Sequence, residues 1–276
     1  MKKINRMLFL TLTAVLTVCS GLTYADTASI NELMDKSGLT KQLQNFPDML
    51  QMGMQQAMQD APEEKEQELN MLMEKLNQAY NVEKIKGTLV KSLETGLSES
   101  DIAAALKWLN SSLGQKITRI EEEHSTVEAE QAKVEFLTAL DNADIPEERI
   151  RLVQDLEEAV FATDMLLTIV LNSQKAIMIG IMPYIPAEHR IPLQEIDVQI
   201  EMNRPLLKSQ YEDYIIGSMI FVYQELSDEE LGQYLEFARS DSGIKYHKTI
   251  SRSFEQAFTE ASVTFGKELG DVLPKE

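Results

Sequence analysis

The chain has 276 residues, with 45 acidic against 26 basic side chains, a formal net charge of −19 and one cysteine. So acidic a surface repels nucleic acid and anionic lipid headgroups, which excludes both as partners of the kind that basic patches recruit. The lone thiol leaves no internal disulfide, so the fold must be held by its apolar core.

Residues 1–25 read as a secretory signal. Lys2, Lys3 and Arg6 form a basic start, Met7 to Val18 is apolar but too short to span a bilayer, and Thr23-Tyr24-Ala25 places small residues where signal peptidase needs them. Cleavage after Ala25 makes Asp26 the mature N-terminus, removes Cys19 and takes the formal charge from −19 to −22. The expected location is periplasmic. The alternative is a lipoprotein anchored through Cys19, because Leu16-Thr17-Val18-Cys19 is close to a lipobox, although Val18 stands where a small residue is usual.

Beyond Asp26 the composition favours helix throughout, with no sustained two-residue alternation. The pattern predicts an all-α helical bundle, with helices over about Ile30–Lys36, Leu39–Gln59, Pro62–Ala79 and Val82–Leu93, and stops at Gly38 and Gly96. Asp141 to Pro146 reads as a turn before a helix start. Met165–Met182 is the most apolar stretch, and its interruption by Asn172-Ser173-Gln174-Lys175 predicts a bundle helix buried on most sides in place of a membrane span. Pro183, Pro186 and Pro192 predict an extended connector, after which helix resumes around Tyr211–Gln224.

A gap-free repeat organises these elements. Residues 97–116 are echoed 129 residues later by 226–245, with six identities in twenty pairs: Leu97/Leu226, Ser98/Ser227, Leu106/Leu235, Ser111/Ser240, Gly114/Gly243 and Lys116/Lys245. Trp108 faces Phe237 in the alignment. Such self-similarity indicates a duplicated unit and two related halves, 26–144 and 145–276. Each segment opens with a capping box, Ser98 with Asp101 and Ser227 with Glu230. Ile102, Leu106 and Leu109, like Leu231, Leu235 and Ala238, form one buried stripe. Ser111 and Ser240 suit the N-cap of a second helix, and Gly114 and Gly243 permit close backbone approach in its first turn. The stripe is expected to continue through Ile117, Ile120, Val127 and Val134, and through Tyr246, Ile250, Phe254, Phe258, Ala261 and Phe265.

The shared pattern, Leu-Ser-(Glu/Asp), Leu, an aromatic, then Ser-x-x-Gly-x-Lys, resembles the bacterial domain-of-unknown-function family 2059. The likeness covers about residues 82–121 and 211–254. The chain departs from the family where Leu109 or Ala238 follows a lone aromatic, and where Ser112 or Asp241 replaces a frequent proline. The resemblance implies an exported all-helical domain and transfers no activity.

The residues that could carry chemistry do not assemble into a motif. His124, His189 and His247 form no His-Glu-x-x-His, and Glu121-x-x-His124 lacks the second copy that bundle di-iron sites need. Ser242-x-x-Lys245 has the spacing of a Ser-Lys nucleophile, but position 113, its counterpart, is leucine, and companion motifs are absent. Lys116 and Lys245, in a first helical turn, oppose the dipole and call for an acid, most simply on the preceding helix, or an anion. Met49, Met52, Met54 and Met58 would not converge on one helix, Met54 lying roughly 200° from Met52, so they read as core or as an adaptable apolar groove, with copper less favoured. No catalytic residue, cofactor or metal ligand is expected. The sequence points to an exported envelope protein acting non-catalytically through binding or assembly, its partner an envelope protein; the alternative is a carrier of an apolar ligand in a helical cavity.

Overall fold

The computed structural model describes residues 26–59, 66–140 and 144–271, and over them the chain is helical without a β-strand. Helices α1 (Thr27–Lys36), α2 (Leu39–Gln59), α3 (Glu66–Ala79) and α4 (Val82–Gly96) precede the first repeat segment, which forms α5 (Glu99–Leu109) and α6 (Ser112–Glu123). Helices α7 (Val127–Ala139), α8 (Glu147–Val160), α9 (Ala162–Ile181) and α10 (Leu193–Val222) lead to the second, which forms α11 (Asp228–Arg239) and the start of α12 (Asp241–Asp271). The expected signal, residues 1–25, lies outside the described residues.

The spine is α12. Its 31 residues run roughly 46 Å at the helical rise, with α9 along one side and α4, α3 and α5 along others. Backbone approaches backbone where α9 meets α12: a Cβ on Gly180 would lie 2.6 Å from the Val263 carbonyl oxygen, and one on Gly266 would lie 2.3 Å from that of Ile177. Hydrophobic side chains then close two large cores, beside a smaller cluster of Leu76, Ala79 and Phe265. One gathers Leu33, Leu89, Leu93 and Ile102 with Tyr246 and Ala257 of α12; the other gathers Ile117 and Ile120 of α6 with Val153, Leu156, Leu231 and Ala238. Each core draws on both sequence halves.

Three expectations are corrected. The stripe after α6 does not continue: the helix ends at His124, Thr126 caps α7 by accepting the Ala129 N–H, and Val134 is exposed. The proline connector is shorter than read, because α10 begins at Leu193 immediately after Pro192 and carries Pro205 within it; proline's pre-set φ suits the residue that opens a helix. Finally, α9 is buried along a stripe, Thr163, Leu167, Leu171, Ala176 and Gly180, and not on most sides.

Ala162–Tyr184 is long and apolar enough to cross a membrane, with mean hydropathy 1.6, and 22% of its apolar window is buried. Two of the polar residues at its middle are nevertheless partnered within the protein. Asn172 Nδ2 donates to Glu255 Oε1 at 2.7 Å, and Lys175 pairs with Asp197 at 2.5 Å.

Candidate functional site

The two repeat segments build the same local device from the same residues. Ser98 Oγ accepts the Asp101 N–H while Asp101 accepts the Ser98 N–H; Ser227 and Glu230 repeat this. Ser111 Oγ accepts from Gly114 N at 3.0 Å, and Ser240 Oγ from Gly243 N at 3.0 Å. At both glycines the new helix presses on the carbonyl that ends the last one. An added Cβ would stand 2.2 Å from the Trp108 oxygen at Gly114 and 1.9 Å from the Phe237 oxygen at Gly243. These contacts fix the angle at which the second helix of each segment leaves the first.

Trp108 and Phe237 lie face to face. Their ring centroids are 4.6 Å apart with planes 7° from parallel, and the pair packs against both cores. Tyr234, one turn before Phe237, stacks on Trp108 at 6.0 Å. Leu106 packs on the first core and Leu235 lies within the second.

Beside this stack lies a cavity of about 400 Å³, within the range that small-molecule sites occupy. Trp108, Phe237, Tyr223, Tyr234 and Tyr246 line it, with Gly114 at its wall. One face of α6 supplies Ile117, Glu121 and His124, which recur at the helical period. The Tyr223 hydroxyl donates to Glu121 Oε1 at 2.7 Å. Burial pushes the Glu121 carboxyl up to about 7, despite hydrogen bonds from Tyr223 and Tyr234 that favour its charged form. His247, from α12, also lines the cavity; its Nε2 is buried without a hydrogen-bond partner, and burial pushes the imidazole down to about 4, leaving it neutral at pH 7. Among the residues lining the cavity there is no lysine or arginine.

The remaining repeat residues sit elsewhere. Ser98 and Ser227 serve helix starts, and Lys245 is exposed. Lys116 does find an acid, but on α11 and not on the preceding helix: its Nζ is 2.7 Å from Glu230 Oε1. His124 is a packed histidine, its Nδ1 2.8 Å from the Ile120 carbonyl and its ring edge-on to Phe221. Met49 and Met52 are half-buried on α2, while the side chains of Met54 and Met58 lie outside the described residues. Among the described residues no three His, Cys, Asp or Glu side chains converge as a metal site requires. A second cavity, about 560 Å³ between α8, α9 and α10, is lined by acidic side chains and by Arg151 and Lys208; of its acids Asp164 pairs with Lys208, and Asp155 with Arg239 outside the lining.

Sequence reasoning names Glu121 only in a Glu-x-x-His spacing, His247 only among scattered histidines and Tyr246 only as a stripe residue, and it misses Tyr223 and Tyr234. A signal existed in part: Tyr246-His247 and Glu121 place polar groups on otherwise apolar stripes, where burial calls for partners. Their convergence has no local trace.

Residues 83–133 match a known bacterial family. It is described as "Uncharacterized protein conserved in bacteria (DUF2059)", and the matched span holds Trp108, Gly114 and Glu121. The expected second copy, residues 211–254, lies outside the match. Comparison with curated proteins and with solved structures gives no match.

Proposed function

We propose that this protein is an exported, non-catalytic binding module of duplicated origin, which encloses a small ligand between its two repeat segments. One observation carries the reading: the cavity of about 400 Å³ is walled by aromatic rings and holds a carboxyl group hydrogen-bonded by Tyr223. Apolar walls with a few convergent polar groups and perturbed titration are what ligand sites have in common. The matching caps and glycines of the two segments support duplication, and the cavity lies beside the Trp108–Phe237 stack between the two segments. Export rests on the leader 1–25. Asp26 supports the cleavage point, since it caps α1 by accepting the Ser29 N–H at 2.7 Å and would keep that role as the first residue.

The apolar-carrier alternative is narrowed by Glu121, because an all-apolar cargo would leave the carboxyl facing hydrocarbon. A second reading, assembly with an envelope protein, draws on α10, where Val198, Met202 and Leu206 recur every fourth residue and are exposed by 53%, 76% and 63%. Native mass spectrometry of protein purified from the host envelope separates the two. A bound small molecule, lost when Ala162→Phe fills the cavity, is the expected result. A bare monomer by mass with no ligand, or a stoichiometric protein partner alone, overturns the ligand reading.

A further inference from the structure

We infer that the ligand of the central cavity is an organic cation, an ammonium carrying an apolar substituent, with Glu121 as its counter-ion and the Trp108, Tyr234 and Tyr246 rings as its walls. The inference rests on the cavity being a ligand site and adds its chemistry. Four observations converge. The cavity holds one carboxylate and no lysine or arginine, so the enclosed negative charge has no basic side chain to answer it. Buried charges in proteins are generally paired or coordinate an ion, and a carboxylate met only by tyrosine hydroxyls leaves room for a cation from outside. The hydrogen bond that Glu121 Oε1 accepts from Tyr223 holds the carboxyl in one orientation. Aromatic rings attract ammonium groups through their quadrupole, most strongly tryptophan, and Trp108, Tyr223, Tyr234, Phe237 and Tyr246 all line this cavity. The net charge of −19 draws cations toward the molecule and repels anions.

Neutral and anionic ligands fit less well. A carboxylate or phosphate would meet Glu121 with like charge, and a pure hydrocarbon would strip its water without replacing it. The groups facing Glu121 reinforce this: Tyr223 from α10, Tyr234 from α11, Tyr246 and His247 from α12, and Glu122 and His124 on its own helix. Burial holds the tyrosines above their ordinary values and His247 below its own, so near pH 7 these four stay uncharged, and Tyr223 and Tyr234 are donors to the Glu121 carboxylate. Glu121 itself, raised to about 7, must lose its proton to hold a cation.

Trp108 is the only tryptophan, so its emission reports on this wall alone. The full chain is titrated at pH 8 with three probes of one shape: cyclohexylmethylammonium, cyclohexylmethanol and cyclohexanecarboxylate. The ammonium is expected to shift Trp108 emission saturably, and to bind at least tenfold more tightly than the other two. Its affinity should fall about tenfold from pH 8 to pH 6, following the ionised fraction of a group titrating near 7. Glu121→Gln, nearly isosteric, should remove both the preference for the ammonium over the alcohol and the pH dependence. Equal binding of ammonium and alcohol, or an unaltered preference in Glu121→Gln, overturns the cation while the ligand site stands. No saturable response to any probe overturns both.

Discussion

Lys116, in α6, reaches across to Glu230, the residue that closes the capping box of α11 by accepting the Ser227 N–H at 2.9 Å. A lysine from the first repeat segment thus holds the acid that starts a helix in the second. The hydrogen bond from Lys116 keeps the Glu230 carboxyl below the usual carboxylate range.

Lys116→Met should therefore destabilise the fold modestly. Side chains about a third exposed (32% and 30%) limit the effect, and we expect on the order of 0.5–1 kcal/mol at pH 7. Because the folded carboxyl titrates lower than the unfolded one, this contribution is present above about pH 4.5 and is lost as acid protonates Glu230. Urea melts of both proteins at pH 7 and pH 3 check it: the two curves should converge at the lower pH. A gap as wide at pH 3 would show that the lysine acts through packing.

The glycine contacts give a sharper test. An alanine Cβ at Gly243 or Gly114 would fall 1.9 or 2.2 Å from a main-chain oxygen, so the helix joint must open. We expect each Gly→Ala to cost about 2–3 kcal/mol. Gly87 and Gly232 lie within α4 and α11 with nothing inside 4 Å of an added Cβ; alanine there should stabilise by ~0.5–1 kcal/mol through helix propensity. Thermal melts of the four variants should split into two pairs of opposite sign. Similar melting for all four would remove the structural role of the repeat glycines.

Glu121 should make stability depend on pH in an unusual direction. Its unfolded value is 4.5 and its folded value about 7, so the folded state holds the proton more firmly. The contribution is full below about 4.5 and is lost as pH rises through about 7. Glu121→Gln should raise stability at pH 8 by ~1–2 kcal/mol, reduced from the full linkage value because the side chain borders a cavity, and should change little at pH 4. His247 has the opposite sign: its contribution is present above about 6.5 and fades as pH falls through about 4. Melts of Glu121→Gln from pH 4 to pH 9 decide the matter, and a constant offset across that range would falsify the assignment.

Export makes a prediction by mass. Protein recovered from the periplasm of the host should begin at Asp26, with an intact mass lacking residues 1–25. A diacylglyceryl group on Cys19 would instead establish the lipoprotein alternative.

The helices, and the joints within each repeat segment, were legible because they are governed by interactions inside one or two turns. A serine oxygen caps a nitrogen three residues on; a glycine lets the next helix lean on the last. The errors came where longer-range packing intervened. Val134 keeps the helical period of a core position, yet the break at His124-Ser125-Thr126 re-aims α7 and leaves it exposed. Pro183, Pro186 and Pro192 read as a connector with helix resuming around Tyr211, yet α10 runs from Leu193 through Pro205 along α9. What only the tertiary structure decided is the cavity. Tyr223 is 102 residues from Glu121, and Trp108 meets Phe237 across the full repeat of 129. No periodicity records such pairs, because they are set by the angles at which separate helices cross. The sequence determined most of the residues that point inward; the crossing of α6, α10, α11 and α12 determined which of them face one another around a shared space.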